Sequence, residues 1–274
     1  MSTTGSGRDA ARSAATSAAN SPWLERVARI GYVVNGLLHV LIGFIAMRLA
    51  IGGGSGETAD QTGALGQIAE QPFGRVVLWV GVAGFVGLAL WQLTEAAVSR
   101  GGEDDAKRRG ISAGKAVVYV ALAWTTLSFA RGGSSSSGGT SADVTASLME
   151  SGPGRILVGL IGLAVIAVGA YQVHKGATKK FLEDLSGTGG GNVGTAVTRL
   201  GMVGYIARGS ALALVGALFV VAAVRQQPGE ATGLDGALRT LREQPYGAVL
   251  LAVVALGFVA FGLYSFARAK YAKL

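Results

Sequence analysis

The 274-residue chain has no cysteine, which excludes disulfides, thiolate metal sites and a cysteine nucleophile. It has only two histidines, His39 and His174, so the mixed Cys/His ligand sets that hold zinc are missing too, and no metal site is expected. Charge is scarce: Asp, Glu, Lys and Arg make up 15% of the residues, with 16 acids against 24 bases. What fills the chain instead is 50% hydrophobic residues and 44 glycines, a profile that does not fit a soluble globular domain and does fit a polytopic membrane protein. Glycine and alanine let helices approach closely in lipid, where the hydrophobic effect no longer drives helix against helix. In so apolar a chain the net charge of +8 matters for where the bases lie, and no nucleic-acid partner is expected.

One motif recurs. Glu70-Gln71-Pro72-Phe73-Gly74-Arg75 precedes an apolar run to Trp91-Gln92-Leu93-Thr94-Glu95. Glu150-Ser151-Gly152-Pro153-Gly154-Arg155 leads in the same way to Tyr171-Gln172, and Glu243-Gln244-Pro245-Tyr246-Gly247 to Tyr264-Ser265. Each copy reads acid, breaker, glycine, a long apolar run, then an aromatic beside a small polar side chain. Self-similarity at a fixed register sets the architecture before any single residue is read. It divides the chain into a tail, 1–22, and three repeats, 23–100, 101–180 and 181–274.

The tail is Ser, Thr, Ala, Gly and Asn with two arginines; it has too little apolar surface to bury and is expected to be disordered. Six apolar runs follow, Ile30–Ile51, Val76–Val98, Ile111–Ala130, Ile156–Val173, Met202–Val224 and Ala248–Ala267. At about 18–25 residues each, they are long enough to cross a hydrocarbon core of roughly 30 Å. The expected fold is therefore all-α: a bundle of six transmembrane helices from three two-helix repeats, with pseudo-threefold symmetry. All seven lysines fall in the second and fourth connections and at the C-terminal end, which places both termini in the cytoplasm of a plasma membrane. Within the outer connections, Ala64, Leu65 and Ile68 in repeat 1 and Ala237, Leu238 and Leu241 in repeat 3 have helical spacing, the pattern of a short amphipathic helix lying on the membrane.

The first helices of repeats 1 and 3 carry Gly31-Tyr32-Val33-Val34-Asn35-Gly36 and Gly204-Tyr205-Ile206-Ala207-Arg208-Gly209. Over residues 25–270 the chain resembles a family with no assigned biochemistry, domain of unknown function 1206, built of tandem two-helix units with Gly-Tyr-x-x-(Arg/Asn)-Gly in the first helix. Repeat 2 departs from the motif, with Ser112, Lys115 and Ala116 in these places. The resemblance implies a bacterial multi-pass membrane protein of three repeats. It supplies no activity, substrate or catalytic residue.

Overlaying the repeats turns scattered polar residues into layers. Asn35, Lys115 and Arg208 share one position; His39, Tyr119 and Leu212 share the next turn. Trp91, Tyr171 and Tyr264 share another, with Gln92, Gln172 and Ser265 beside them, and Glu95, Lys175 and Arg268 share a fourth. Counted along a helix from the cytoplasmic ends, these lie roughly 5–13 Å deep. Ionisable groups inside a membrane are costly and mark a functional site by default. Lys175 and Arg268 are close enough to the interface to snorkel. Glu95, the only acid within an apolar run, is expected to form a buried ion pair with Arg208 or Lys115. His39 reads as a hydrogen-bonded core histidine, and its depth differs too much from that of His174 for the two to ligate one haem.

Ser, His and Asp never gather at triad-like spacing, and the glycines form no phosphate loop after a strand, so no catalytic residue and no cofactor are expected. The function expected is that of a non-catalytic module binding membrane lipid, through an anionic headgroup, or an unidentified membrane protein partner at its basic inner layer. The ligand-binding set is Lys115, Arg208, Lys175 and Arg268, with Trp91, Gln92, Tyr171, Gln172 and Tyr264 lining the approach. Counting Glu95, the layer carries four cations against one carboxylate. The alternative is a small-molecule or ion transporter or channel, for which internal repeats are common, though here the number of repeats is odd and all run the same way.

Overall fold

The computed structural model describes residues 22–53, 56–97, 105–133, 143 and 145–273. The tail expected to be disordered lies outside the described residues except for Pro22, as does the Ser134–Gly139 stretch of the middle outer connection. Six long helices carry the apolar runs: α1 Pro22–Ala50, α3 Gly74–Ala97, α4 Asp105–Ala130, α5 Gly152–Ala177, α6 Gly191–Arg225 and α8 Gly247–Tyr271. Two short helices, α2 Gln61–Glu70 and α7 Gly233–Glu243, occupy the outer connections of repeats 1 and 3, where the helical spacing put them. Among the described residues there is no strand, only an isolated antiparallel bridge between Leu185 and Ala272.

The recurrent motif is the corner between a short helix and a long one. A Cβ on Gly74 would collide with the carbonyl of Ile68, one on Gly154 with that of Leu148, and one on Gly247 with those of Leu241 and Arg242. The glycine lets the incoming chain lie on the last carbonyls of the preceding short segment. Just before it, Phe73 and Tyr246 adopt left-handed backbone conformations, φ 65° and 60°, rare for an aromatic residue. The two residues are 83% and 85% exposed, at the N-terminal ends of two apolar spans. In repeat 2 the place of Phe73 is taken by Pro153, which cannot adopt that conformation; there Ser151 caps α5, its Oγ accepting from Gly154 N at 3.1 Å.

The chain forms two compact units. The first takes in described residues up to Val34 together with Ile68–Gly133; the second takes in Asn35–Gln67 and the described residues from 143 to Lys273. In the first unit α1 and α3 meet glycine on glycine: a Cβ on Gly31 would lie 2.5 Å from the carbonyl oxygen of Gly84, and one on Gly84 2.7 Å from Gly31 N. On another side α3 packs against α4, with Phe85 and Tyr119 stacked at 6.5 Å.

The second unit repeats these contacts. Within repeat 3, α6 meets α8 as α1 meets α3, a Cβ on Gly204 falling 2.6 Å from the Cα of Phe261. Between repeats, α5 packs on α6, and the second half of α1 packs on α8, in one and the same register. A Cβ on Gly209 would lie 2.6 Å from the Gly169 carbonyl, and one on the equivalent Gly36 2.9 Å from the Gly262 carbonyl. Two turns on, Gly216 faces the Gly162 carbonyl at 2.6 Å and Gly43 faces the Ala255 carbonyl at 2.7 Å. His39 stacks on Phe258 at 6.1 Å, the pair equivalent to Tyr119 on Phe85. The two glycines of Gly-Tyr-x-x-(Arg/Asn)-Gly thus serve two interfaces: the first meets the partner helix of its own repeat, the second the last helix of another repeat.

The outer connections of repeats 1 and 3 are tied together within the second unit. Ala59 N donates to Asp235 Oδ1 at 2.7 Å, Arg239 donates to the Glu57 carbonyl at 2.8 Å, and Arg239 also pairs with Asp235 at 2.8 Å. Asp60, buried, caps α2 by accepting from the amides of Thr62 and Gly63.

One helix starts well before its apolar run. The run begins at Met202, but α6 begins at Gly191 and reaches 35 residues, about 52 Å at 1.5 Å per residue. Its first turns hold Gly191, Gly194 and Gly201, which lower helix propensity and read as loop. Tertiary packing overrides that preference: Val197 and Gly201 on this extension, with Tyr205 just beyond it, receive Phe181 and Leu185 from the preceding connection.

Candidate functional site at the lysine-bearing ends of the helices

The lysine-bearing ends of α5 and α8 and the start of α6 meet in the second unit around four aromatic rings. Phe181 stacks on Tyr205 at 5.4 Å and meets Tyr264 edge-on at 5.3 Å; Phe261 meets Tyr205 edge-on, also at 5.3 Å. Phe181 and Tyr264 are fully buried, and the Tyr264 hydroxyl donates to the Phe181 carbonyl at 3.4 Å. Phe181 lies on a 3-10 turn, Lys180–Asp184, that follows α5.

The cations stand around these rings. Lys175 Nζ lies 2.6 Å from Asp184 Oδ2 and 5.7 Å from the centre of the Tyr205 ring. Arg268 brings Nη2 to 3.6 Å from the same Asp184 oxygen, and its Nη1 donates to the Tyr205 hydroxyl at 3.4 Å. Arg208 stands over Phe261, 4.7 Å from the ring centre, a cation–π arrangement. The His39 ring also packs against Phe261, at 4.7 Å between ring centres. Its Nδ1 is 2.8 Å from the Asn35 carbonyl; a carbonyl can only accept, so Nδ1 carries the proton, and the buried Nε2 is left as an acceptor with no hydrogen-bond partner. Asn35 Nδ2 reaches Ser265 Oγ at 3.5 Å.

Of the residues expected to bind a ligand, the second unit brings together Lys175, Arg208, Arg268 and Tyr264. Gln172 is half-buried there with Oε1 lacking a hydrogen-bond partner, while Tyr171 points outward, 53% exposed. Trp91, Gln92, Glu95 and Lys115 belong to the first unit: Trp91 and Gln92 buried, Glu95 half-buried and Lys115 exposed. Two expectations are corrected. Lys175 and Arg268 do not extend towards water; their side chains are 13% and 17% exposed and turn inward to Asp184. The charge balance of the layer also includes Asp184, which lies outside the apolar runs and so escaped the count.

Phe181, Asp184 and Tyr205 are the residues that sequence reasoning missed as site residues. The signal for the first was present: Phe181, Leu182 and Leu185 are apolar side chains at helical spacing inside a polar connection, and such a pattern needs somewhere to dock. Tyr205 is the Tyr of the Gly-Tyr-x-x-(Arg/Asn)-Gly motif, so the motif places an aromatic ring one helical turn from the Arg or Asn. Among the described residues no cluster of three or more His, Asp or Glu has the arrangement of a metal site.

The family model described as Domain of Unknown Function (DUF1206) matches the chain three times, over residues 30–99, 112–179 and 203–272. The chain belongs to the DUF1206 family. Each match spans both helices of one repeat, so the DUF1206 unit is the helix pair with the connection between them. Among curated proteins, an uncharacterized protein of Bacillus subtilis (strain 168), YxxB, is 30% identical over 257 residues, covering 91% of this chain and 92% of that one. No solved structure matches. The chain thus carries three tandem DUF1206 units, and its described residues are all-α, with six helices long and apolar enough to cross a membrane.

Proposed function

We propose that this DUF1206 protein is a non-catalytic module of the bacterial plasma membrane, with both termini cytoplasmic, that holds an anionic group at the inner ends of α5, α6 and α8. The observation that carries the reading is the convergence of Lys175 and Arg268 on one carboxylate, Asp184, at the end of an apolar span, with Arg208 a turn deeper. Lys175 and Arg268 bring two positive charges close together where dehydration makes positive charge expensive. An anionic phosphate at the headgroup level offsets it, and the planar guanidinium of Arg268 suits a phosphate in a two-pronged contact. Basic pockets between helices on the cytoplasmic side are a recurring form of lipid headgroup site. Each of the six long helices is continuous, so the carrier reading gains no unwound segment from the structure.

The test is delipidation followed by thermal titration with cardiolipin, phosphatidylglycerol and, as the neutral control, phosphatidylcholine. Anionic lipids are expected to raise the melting midpoint well above the neutral control, and Arg268→Gln to remove most of that difference. Equal stabilisation by neutral and anionic lipid overturns the reading.

A further inference from the structure

The anion position of the proposed site is already filled by the chain itself. We infer that residues Lys180–Leu185 form a tethered stand-in for an anionic amphiphile, with the Asp184 carboxylate where the phosphate binds and the Phe181 ring where the apolar body lies. This rests on the reading of the inner layer as an anion site, and it names the class of ligand that site accepts.

Three observations support the assignment. The first is chemical likeness. The segment presents a negative head to Lys175 at 2.6 Å and to Arg268 at 3.6 Å, and an apolar group, 0% exposed, to Tyr205, Tyr264 and Gly201. A headgroup phosphate with the start of its acyl chain has the same two parts in the same order. The second is how the segment is held: its backbone is bonded mostly to the end of α8 and the residues just past it, with one further bond, from the Tyr264 hydroxyl to the Phe181 carbonyl, coming from within α8. Ser186 N donates to the Tyr271 carbonyl at 2.7 Å, Lys273 N to the Asp184 carbonyl at 3.0 Å, and Leu185 bridges Ala272. The third lies in its flanks. Lys179 just before it is left-handed, φ 59°, and Gly189, Gly190 and Gly191 just after it all have positive φ, 91°, 68° and 49°. The segment is thus bounded by backbone that turns sharply at both ends, and glycine there allows large dihedral change at little steric cost. Displacing it exposes an apolar cradle and two cations together, and a ligand that supplies only charge leaves the cradle bare.

The absence of native cysteine provides the test. Leu185→Cys with Ala272→Cys places a thiol pair across the isolated bridge, where antiparallel neighbours lie within disulfide reach. The oxidised form fixes the segment to the chain end, and reduction releases it in the same molecules. Binding of phosphatidylglycerol in mixed micelles is expected to be about tenfold weaker in the oxidised form, the ratio that one charge-assisted contact accounts for. Asp184→Asn, without the competing charge, is expected to bind it more tightly than the wild type. Equal affinity in the oxidised and reduced forms, with a preference for phosphatidylglycerol over phosphatidylcholine intact, overturns the stand-in and leaves the anion site standing. No such preference in wild type, reduced protein or Asp184→Asn overturns the site itself. Inorganic phosphate that competes as well as phosphatidylglycerol assigns the position to a soluble anion and overturns the role given to Phe181.

Discussion

Gly36 and Gly209 hold the same place in their repeats, and a methyl group added to either meets the same obstacle, the carbonyl of a glycine on another helix. The approach is 2.9 Å for Gly36 and 2.6 Å for Gly209. A Cβ at those distances forces the helices apart, and overpacking of this kind costs ~1–3 kcal/mol. Gly36→Ala and Gly209→Ala are each expected to lower the thermal midpoint in detergent. Gly159→Ala, whose Cβ finds its nearest neighbour at an ordinary 3.6 Å, is expected to leave it within error. If all three behave alike, close glycine contact is not what holds these helices. The sequence shows that such positions exist, because glycines in an apolar run mark packing faces. It does not pair them, since partners in different repeats are separated by long stretches of chain. The same limit applied to charge: Lys175 and Arg268 were legible as a layer, and their carboxylate was not, because Asp184 stands nine residues beyond Lys175 in a segment that looks like an ordinary polar turn.

At the scale of elements, α2 and α7 were legible from three apolar residues at helical spacing, and the start of α6 was not. The difference lies in what stabilises each. α2 and α7 bury an apolar stripe of their own, whereas the glycine-rich start of α6 is helical because Phe181 packs on Gly201. The network between the outer connections follows the same logic. Ala59 is fully buried, and its amide donates to Asp235, which also pairs with Arg239. Asp235→Ala leaves that buried N–H unsatisfied, at a cost of ~1–3 kcal/mol. It is expected to lower the unfolding midpoint in detergent and to speed amide exchange at 57–60. Exchange there at the wild-type rate would mean that the contact does not order the connection.

At the scale of the whole molecule, the count of six spans and the three repeats follows from runs of sufficient length and one recurring corner motif, and the family matches fall on the same three segments. Sidedness rests on lysine alone. Reporter fusions after residue 60 and after residue 235 are expected to read as external, and a fusion at the C-terminus as cytoplasmic. A cytoplasmic signal after either 60 or 235 would reverse the orientation and move the inner-end site to the opposite leaflet.

The packing of α5 on α6 reappears in the same register where α8 meets α1, with Ala255 in the place of Gly162. A surface that binds a copy of its own neighbour is what a single two-helix peptide needs to assemble with itself, head to tail. Joining the copies in one chain has a consequence for their later history. In an assembly of identical peptides, every substitution is made at all the equivalent places at once, so a histidine or arginine at the packed surface must be tolerated in every copy. In a tandem chain each copy drifts alone. His39 has as its counterparts Tyr119 and Leu212, and Arg208 has Asn35 and Lys115. In repeat 2, Ile111 and Ala116 stand in the places of the motif's two glycines. Three like scaffolds in one chain can therefore carry unlike side chains at equivalent places, which identical peptides cannot.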